Sequence, residues 1–285
     1  MTMSRRHLVA LIALIALALG LRLYRLDSQS LWNDEGTSVA LAQRDLATIL
    51  RNAADDIHPP FYYVTLHAWV ERFGITEFAV RGLSVLTGVL VVAGTYFLGW
   101  RLLSSRSALL AALFAALSPF QVYYSQETRM YIGGTLVALA LVAACHELLV
   151  RWDSDLRLAS WPAVAVAVAG TAVLYTHYYG ATVLLAVNIA FFIWCILKRK
   201  SGAFPWDALW RWGIIMLVTG AAFVPWLLTA WSTIIHWPAV SAPTTLTQLA
   251  RDLMVVLPLG ITAPEGGFAL VVGIVSAALA TAGFV

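Results

Sequence analysis

Residues 82–100 read GLSVLTGVLVVAGTYFLGW, a stretch with neither an acidic nor a basic side chain. A helix needs about 17–25 mostly apolar residues to cross a bilayer, so this stretch predicts a membrane-spanning helix. Comparable stretches precede and follow it. The predicted spans are residues 8–25, 82–100, 107–124, 132–150, 160–177, 180–197, 212–231 and 267–285. The sequence therefore predicts an all-α fold, a polytopic bundle of transmembrane helices that forms one domain over residues 1–285.

The composition of the chain is that of a membrane protein. Of its 285 residues, 61% are hydrophobic and 12% are charged, and the mean hydropathy is +0.81. Soluble domains carry about 25% charged residues. The formal net charge is only +3, and the two lysines are Lys198 and Lys200, in one short segment. The sequence therefore has no basic stripe of the kind that binds nucleic acid. Cys145 and Cys195 lack the spacing of a disulfide or metal motif.

The two ends of the chain carry separate expectations. The apolar run Leu8–Leu21 follows Arg5-Arg6 and precedes Arg22 without a small-residue cleavage pattern. These features favour a retained signal-anchor helix over a cleaved signal peptide. The last apolar run begins at Gly267 and continues to Val285, which predicts that the bundle is truncated at the C-terminus.

Basic residues define the predicted orientation because they recur in every second connection between spans. These residues are Arg101 and Arg106, then Arg151 and Arg157, then Lys198 to Lys200 with Arg211. The positive-inside rule places these connections in the cytoplasm and the others outside. The segment Pro60–Phe73 is too short to span, so residues 26–80 are predicted to form one outer loop lying on the membrane. We expect a multi-pass protein of the plasma (inner) membrane, with its active site on the outer, periplasmic face.

The predicted outer loop has helical signals of its own. Asp34 is expected to cap a helix that begins at Glu35. One apolar face of that helix would consist of Val39, Ala42, Leu46, Ile49 and Leu50. With the segment Pro60–Phe73, this gives two predicted juxtamembrane helices.

Ionisable groups gather at the outer ends of the predicted spans. They are Asp34, Glu35, His58, Glu127, Arg129 and His177. A charge at the bilayer centre costs roughly 2.5–3.5 kcal/mol, which keeps such groups where water reaches them. Arginine and histidine can hold a phosphate, and an aspartate can accept the proton of a hydroxyl. Together they indicate chemistry on a phosphate carried by a lipid.

Each of these side chains also has an alternative structural role. Asp34 would be only a helix cap, His58 a turn residue, His177 a residue of the aromatic belt, and Glu127 with Arg129 an interfacial ion pair. Asp55 and Asp56 are interpreted as solvated loop charges. For the whole protein, a transporter or lipid flippase is the main alternative, and such proteins carry ionisable groups or broken helices near the midplane. A non-catalytic membrane scaffold is the other.

Three motifs of the chain resemble those of a known family. They are Leu31-Trp32-Asn33-Asp34-Glu35, His58-Pro59-Pro60-Phe61-Tyr62-Tyr63 followed by Arg81, and Ser118-Pro119 followed by Tyr124-Ser125-Gln126-Glu127-Thr128-Arg129-Met130-Tyr131. Together they resemble the family 39 integral-membrane glycosyltransferases. That group includes the dolichyl-phosphate-mannose protein mannosyltransferases and the bacterial aminoarabinose transferases of lipid A. The resemblance covers roughly residues 8–200.

The resemblance implies a C-type glycosyltransferase fold, a polyprenyl-phosphate sugar donor and a set of site residues. It carries the family's catalytic acid onto Asp34 and its second acid onto Glu127, and Glu35 is included as the adjacent carboxylate. The residues expected to bind substrate are His58, Gln126, Arg129, Tyr131 and His177. The aminoarabinose transferases have a lysine where this chain has His58, so the resemblance leaves the sugar and the acceptor open.

The predicted reaction is an inverting glycosyl transfer. An acceptor hydroxyl, on a lipid, a glycan or a protein, attacks the anomeric carbon with Asp34 as the base. The lipid phosphate leaves, held by Arg129 and His58, from the opposite face of the sugar. No cofactor is predicted, although some C-type relatives use a divalent metal and Asp34, Glu35 and Glu127 could hold one in principle. Membrane lipids are the remaining expected partners, and nucleic acid is not one.

Overall fold

The protein is described here from a computed structural model that covers residues 5–154, 160–201, 205–236, 245–260 and 267–282. Every regular element in these ranges is an α-helix, so the predicted all-α fold is confirmed. Arg157 of the predicted cytoplasmic connections and the last three residues of the predicted final span lie outside the described residues.

The helices follow the predicted spans closely in the apolar part of the chain. In chain order they are α1 (Arg5–Leu23), α2 (Asn33–Ala42), α3 (Leu46–Ala54), α4 (Phe61–Phe73), α5 (Glu77–Leu102), α6 (Ser105–Leu117), α7 (Pro119–Ser125), α8 (Tyr131–Ser154), α9 (Ser160–Thr176), α10 (Gly180–Ser201), α11 (Trp206–His236), α12 (Leu246–Leu259) and α13 (Gly267–Ala282). Among the described residues, five of these are long and apolar enough to cross a membrane, namely α1, α5, α8, α10 and α11, and the bent pair α6 and α7 is a sixth if it counts as one span. Helices α9 and α13, at the predicted spans 160–177 and 267–285, are shorter than the 18 residues of such a helix.

The chain divides into two compact units. The first unit consists of Met1–Ser30, Arg81–Thr128 and Pro238–Val285, and the second unit of Leu31–Val80 and Arg129–Trp237. The assignment of both to a single transferase domain stays a prediction.

In the first unit, the predicted span 107–124 is a pair of helices, α6 and α7, bent by 59°. Pro119 causes the break because it has no N–H to donate to the carbonyl of Ala115, four residues earlier. Ser118 starts the next helix, since its Oγ accepts a hydrogen bond from the Gln121 N–H at 3.3 Å. Helix α12, which the sequence did not predict, packs against α7 and α13 in the same unit.

The carbonyl groups freed by this break are bound by Arg22, a fully buried residue of α1. Its guanidinium donates to Ala115 O at 3.2 Å and to Ala116 O at 3.3 Å. It also donates to Ser125 Oγ at 3.0 Å. Gly88 of α5 lies against Arg22 and Ser125, and a Cβ at position 88 would overlap Ser125. The positive charge of Arg22 therefore serves helix packing.

In the second unit, α8, α9, α10 and α11 pack around a common apolar core. The rings of Phe191 and Trp212 stack there with centroids 4.4 Å apart. The amide of Asn188 is satisfied within this core, since its Oδ1 accepts from Trp212 Nε1 at 2.9 Å and its Nδ2 donates to Leu184 O at 2.8 Å. Asn188 thus links neighbouring helices in the way polar groups in membranes commonly do.

The segment that precedes α4 differs from its prediction in two ways. The single helix expected from Glu35 to Leu50 is two helices, α2 and α3, because Asp45 caps a new helix by accepting from the Thr48 N–H at 3.0 Å. Helix α2 begins at Asn33, so Asp34 lies in its first turn and is not its cap. Helix α4 then packs against α2 and α9, which fixes α2 beside the core of the second unit.

Candidate functional site

Four helix ends bring polar side chains together in the second unit. They are the first turn of α2, the turn before α4, the start of α8 and the turn between α9 and α10. Pro59 and Pro60 hold the chain out of helical conformation after His58, and α4 begins directly afterwards. Gly180 permits the tight turn before α10, where a Cβ would clash with the Val173 carbonyl oxygen.

Arg129 lies at the centre of this group and is only 5% exposed. Its Nη2 is 3.7 Å from Asp34 Oδ2. Its Nη1 donates to Ser38 Oγ at 3.2 Å and to Asp34 O at 3.4 Å. Its buried Nε donates no hydrogen bond to any described residue. Burial lowers the pKa of Arg129, but hydrogen bonding by Tyr131 and the nearby acidic groups outweigh it and raise the pKa overall.

Asp34 is partly exposed to solvent, unlike Arg129. Its side chain is 40% exposed, against 6% for that of Arg129. Its main-chain carbonyl accepts from Ser38 Oγ at 2.8 Å, so the first turn of α2 is fixed on both sides of the carboxylate. Asp34 can therefore hold a charge close to Arg129 and still meet a substrate from outside.

Asp56 and His58 form a second polar pair. Asp56 Oδ2 lies 3.4 Å from His58 Nδ1 and accepts from Tyr63 OH at 2.9 Å. Its other oxygen accepts from the Ile57 N–H at 2.7 Å. Burial raises the pKa of Asp56, but the hydrogen bonds from His58, Tyr63 and Ile57 together have a larger, opposite effect, so the pKa of Asp56 lies below its usual value. The expectation that Asp56 is a solvated loop charge holds only in part, because its side chain is 36% exposed but its carboxylate is held by these donors.

His177 connects the two parts of the group. Its ring meets that of His58 edge to face with centroids 5.4 Å apart, and the ring of Tyr131 lies at 6.3 Å. It also stacks on Tyr179 at 5.0 Å. Burial is the main reason that the pKa of His177 falls to about 4, and the neighbouring groups of His58 and Arg129 contribute to it.

The other predicted site residues have different surroundings. The Glu35 carboxylate, on a residue 1% exposed, accepts from the Trp32 N–H at 3.3 Å. In the first unit, the Gln126 amide donates to two main-chain carbonyls of α1 and its end, Arg22 O at 3.1 Å and Tyr24 O at 2.9 Å. Glu127 is buried in that unit, and its main-chain carbonyl accepts from Ser84 Oγ. The catalytic and binding roles of these three residues stay predictions.

Sequence reasoning missed three contributors to the group, namely Ser38, Asp56 and Tyr63. Ser38 lies one helical turn after Asp34, and that spacing was a usable signal. The direction of Asp56 within its turn carries no such signal. Within the described ranges, no three histidine, cysteine, aspartate or glutamate side chains are grouped as metal ligands.

Comparison with known proteins gives this arrangement a context. The sequence profile of the dolichyl-phosphate-mannose-protein mannosyltransferase family matches residues 57–229, more than half of the chain. The chain belongs to this family. The matched range includes most of the second unit and α5 to α7, and the predicted family resemblance is confirmed. A search of curated proteins finds no match.

A solved structure supports the fold of this family member independently. The protein is similar to the archaeal oligosaccharyltransferase AglB from Archaeoglobus fulgidus, solved in complex with an inhibitory peptide and a dolichol-phosphate. The TM-score is 0.62 at 14% identity, over 99% of this chain and 37% of AglB. The chain thus spans little more than a third of that protein's length. The likeness confirms the predicted C-type glycosyltransferase fold.

Proposed function

We propose that this protein transfers a sugar from a polyprenyl-phosphate donor to an acceptor hydroxyl at the outer face of the plasma membrane, with inversion at the anomeric carbon. The observation that carries the proposal is the buried Arg129 guanidinium, whose Nε has no partner among the described residues and which stands beside an accessible carboxylate, Asp34. Membership of the dolichyl-phosphate-mannose-protein mannosyltransferase family, whose name gives a lipid-linked sugar donor, supports the same reaction class.

The phosphate of the donor is assigned to Arg129 and the start of α8. A helix N-terminus offers unpaired N–H groups and a partial positive charge to an anion. Gly133, in the first turn of α8, has open space where a Cβ would be, so a ligand can approach the main chain there. His58 supplies a further donor or positive charge to the leaving phosphate. No metal cofactor is included in the proposed reaction.

Asp34 is assigned the role of general base. It takes the proton of the acceptor hydroxyl as the acceptor oxygen bonds to the anomeric carbon. The bond from that carbon to the phosphate oxygen breaks, and the phosphate leaves with the bonding electrons. Entry and departure on opposite faces of the sugar invert the anomeric centre. Glu35 supports the turn that carries Asp34, and Glu127 is retained as a second predicted acid.

Turnover of defined donors tests the proposed function. The full-length protein in lipid nanodiscs is given a panel of polyprenyl-phosphate hexoses and pentoses with lipid, glycan and peptide acceptors. We expect one donor to release polyprenyl phosphate only when an acceptor is present, with product of inverted anomeric configuration by NMR. Movement of lipid between leaflets without any transfer would contradict the proposal and support the flippase alternative.

The orientation is tested by single cysteines at exposed positions. Ser28, Thr76 and Ser104 are replaced one at a time in a background that lacks Cys145 and Cys195, both of which are buried and free. A membrane-impermeant thiol reagent should label positions 28 and 76 in intact cells, and position 104 only after permeabilisation. Labelling of 28 and 76 from opposite sides would mean that α4 crosses the membrane.

A further inference from the structure

The turn between α9 and α10 determines which nitrogen of His177 carries a proton. The main-chain N–H of Tyr179 donates to His177 Nδ1 at 3.2 Å. An amide N–H can only donate, so Nδ1 is the acceptor and is unprotonated. A neutral imidazole with this arrangement carries its proton on Nε2. Among the described residues, Nε2 of His177 makes no hydrogen bond, so this donor is available to a ligand.

The surroundings of His177 favour the neutral ring. The titratable or charged groups that face it are His58 from the turn before α4, Arg129 and Tyr131 from the start of α8, and Tyr179 from its own turn. Asp56 contacts the ring of His58 and not that of His177. A proton on Nδ1 would break the bond from Tyr179 and put a second positive charge near Arg129. The lowered pKa of His177 agrees with this geometry.

The two imidazoles that meet edge to face therefore have different partners. His58 presents Nδ1 to a carboxylate oxygen of Asp56 at 3.4 Å, which can only accept a hydrogen bond when it is ionised. His177 presents Nδ1 to a main-chain donor, which requires that nitrogen to be unprotonated. Nδ1 of His58 thus faces an acceptor and Nδ1 of His177 a donor, and the main chain fixes Nε2 as the protonated nitrogen of neutral His177.

We propose that His177 donates a hydrogen bond from Nε2, as a neutral imidazole, to a phosphate oxygen of the lipid-linked donor, while Arg129 supplies the charge. The proposal rests on the proposed function, since it specifies how the same phosphate is held. In this role His177 is a binding residue that gives up no proton during the reaction.

Two substitutions separate this role from its alternatives. His177→Gln places an amide N–H₂ near the position of Nε2 and so keeps a neutral donor. His177→Phe keeps a ring that can stack on Tyr179 but removes the donor. Tyr179→Ala is the matched control, because it removes the stacking ring and retains the main-chain N–H that fixes the tautomer.

The probe is polyprenyl phosphate, titrated into the full-length protein in nanodiscs between about pH 5.5 and 8, with the unphosphorylated polyprenol in parallel. Wild type, His177→Gln and Tyr179→Ala should bind with similar affinity. Their pH dependences should be parallel because a phosphate monoester itself titrates near pH 6. His177→Phe should bind about tenfold or more weakly, since hydrogen bonds to charged groups are the stronger ones.

Three results would overturn the assignment. If folded His177→Phe binds polyprenyl phosphate with wild-type affinity, His177 contributes only the packing of its ring. A gain in affinity toward low pH that both His177 variants lose would mean that His177 binds as a cation. Equal binding of polyprenyl phosphate and polyprenol by the wild type would instead remove the phosphate site, and the proposed function with it.

Discussion

Asparagine at position 34 is expected to reduce sugar transfer by about 10²–10⁴-fold, the usual loss when a general base is removed. Asn has nearly the same shape as Asp but cannot accept the acceptor's proton. The donor should still bind, because Arg129 remains in place with its bond to Ser38 Oγ. The measurement is single-turnover transfer together with an independent donor titration.

The matched control for this variant is Asp55→Asn, which removes an exposed carboxylate from the turn before α4. It should transfer sugar at close to the wild-type rate. A two- or threefold loss in Asp34→Asn, no larger than in Asp55→Asn, would limit Asp34 to its ion pair with Arg129. Loss of donor binding in parallel with turnover would place Asp34 in binding and not in proton transfer.

Substitution of Arg129 is expected to weaken use of the donor in a graded way. A lysine keeps the charge but lacks the planar guanidinium with its several fixed donors, so Arg129→Lys should raise the donor KM by about tenfold. Arg129→Ala should raise it further, because hydrogen bonds to charged groups contribute about 1.5–3 kcal/mol each. Donor titrations at a saturating acceptor concentration measure both effects.

A purely structural role for Arg129 gives a different result. The Arg129 side chain is only 6% exposed, so loss of a structural ion pair with Asp34 would lower the stability of the fold, but it would not change the dependence of the rate on donor concentration. Arg44→Ala, at an exposed position just after α2, is the control for a general loss of positive charge. If both Arg129 variants stay folded and keep the wild-type donor KM, the phosphate is bound elsewhere.

Most of the membrane helices could be predicted because each is an apolar run bounded by polar residues. The exceptions have local causes. The break between α6 and α7 follows from Pro119 within an otherwise continuous run. Helix α12 was missed because Gln248, Arg251 and Asp252 interrupt its apolar pattern. The division between α2 and α3 was signalled by Asp45 three residues before Thr48, a capping pattern that the apolar face obscured.

The candidate site was only partly predictable for a different reason. Composition and topology placed Asp34, His58, Arg129 and His177 at the same kind of helix end, and the structure brings these four together in the second unit. The hydrogen-bond partners of the His58 and His177 rings depend on how side chains and main-chain groups are oriented within turns. Neither the carboxylate that faces His58 nor the main-chain donor that faces His177 has a periodicity from which a sequence could reveal it.

The buried guanidinium of Arg22 has a consequence for the order in which the chain is made. Its partners Ala115, Ala116 and Ser125 follow it by 93, 94 and 103 residues. At roughly 5–20 residues per second, ribosomes need several seconds or more to synthesise that length. During this interval α1 carries a charge without its final ligands, and water or lipid headgroups must hold it near the membrane surface. The hydrogen bonds of Arg22 to α6 and α7 can therefore form only after both of those helices have been synthesised.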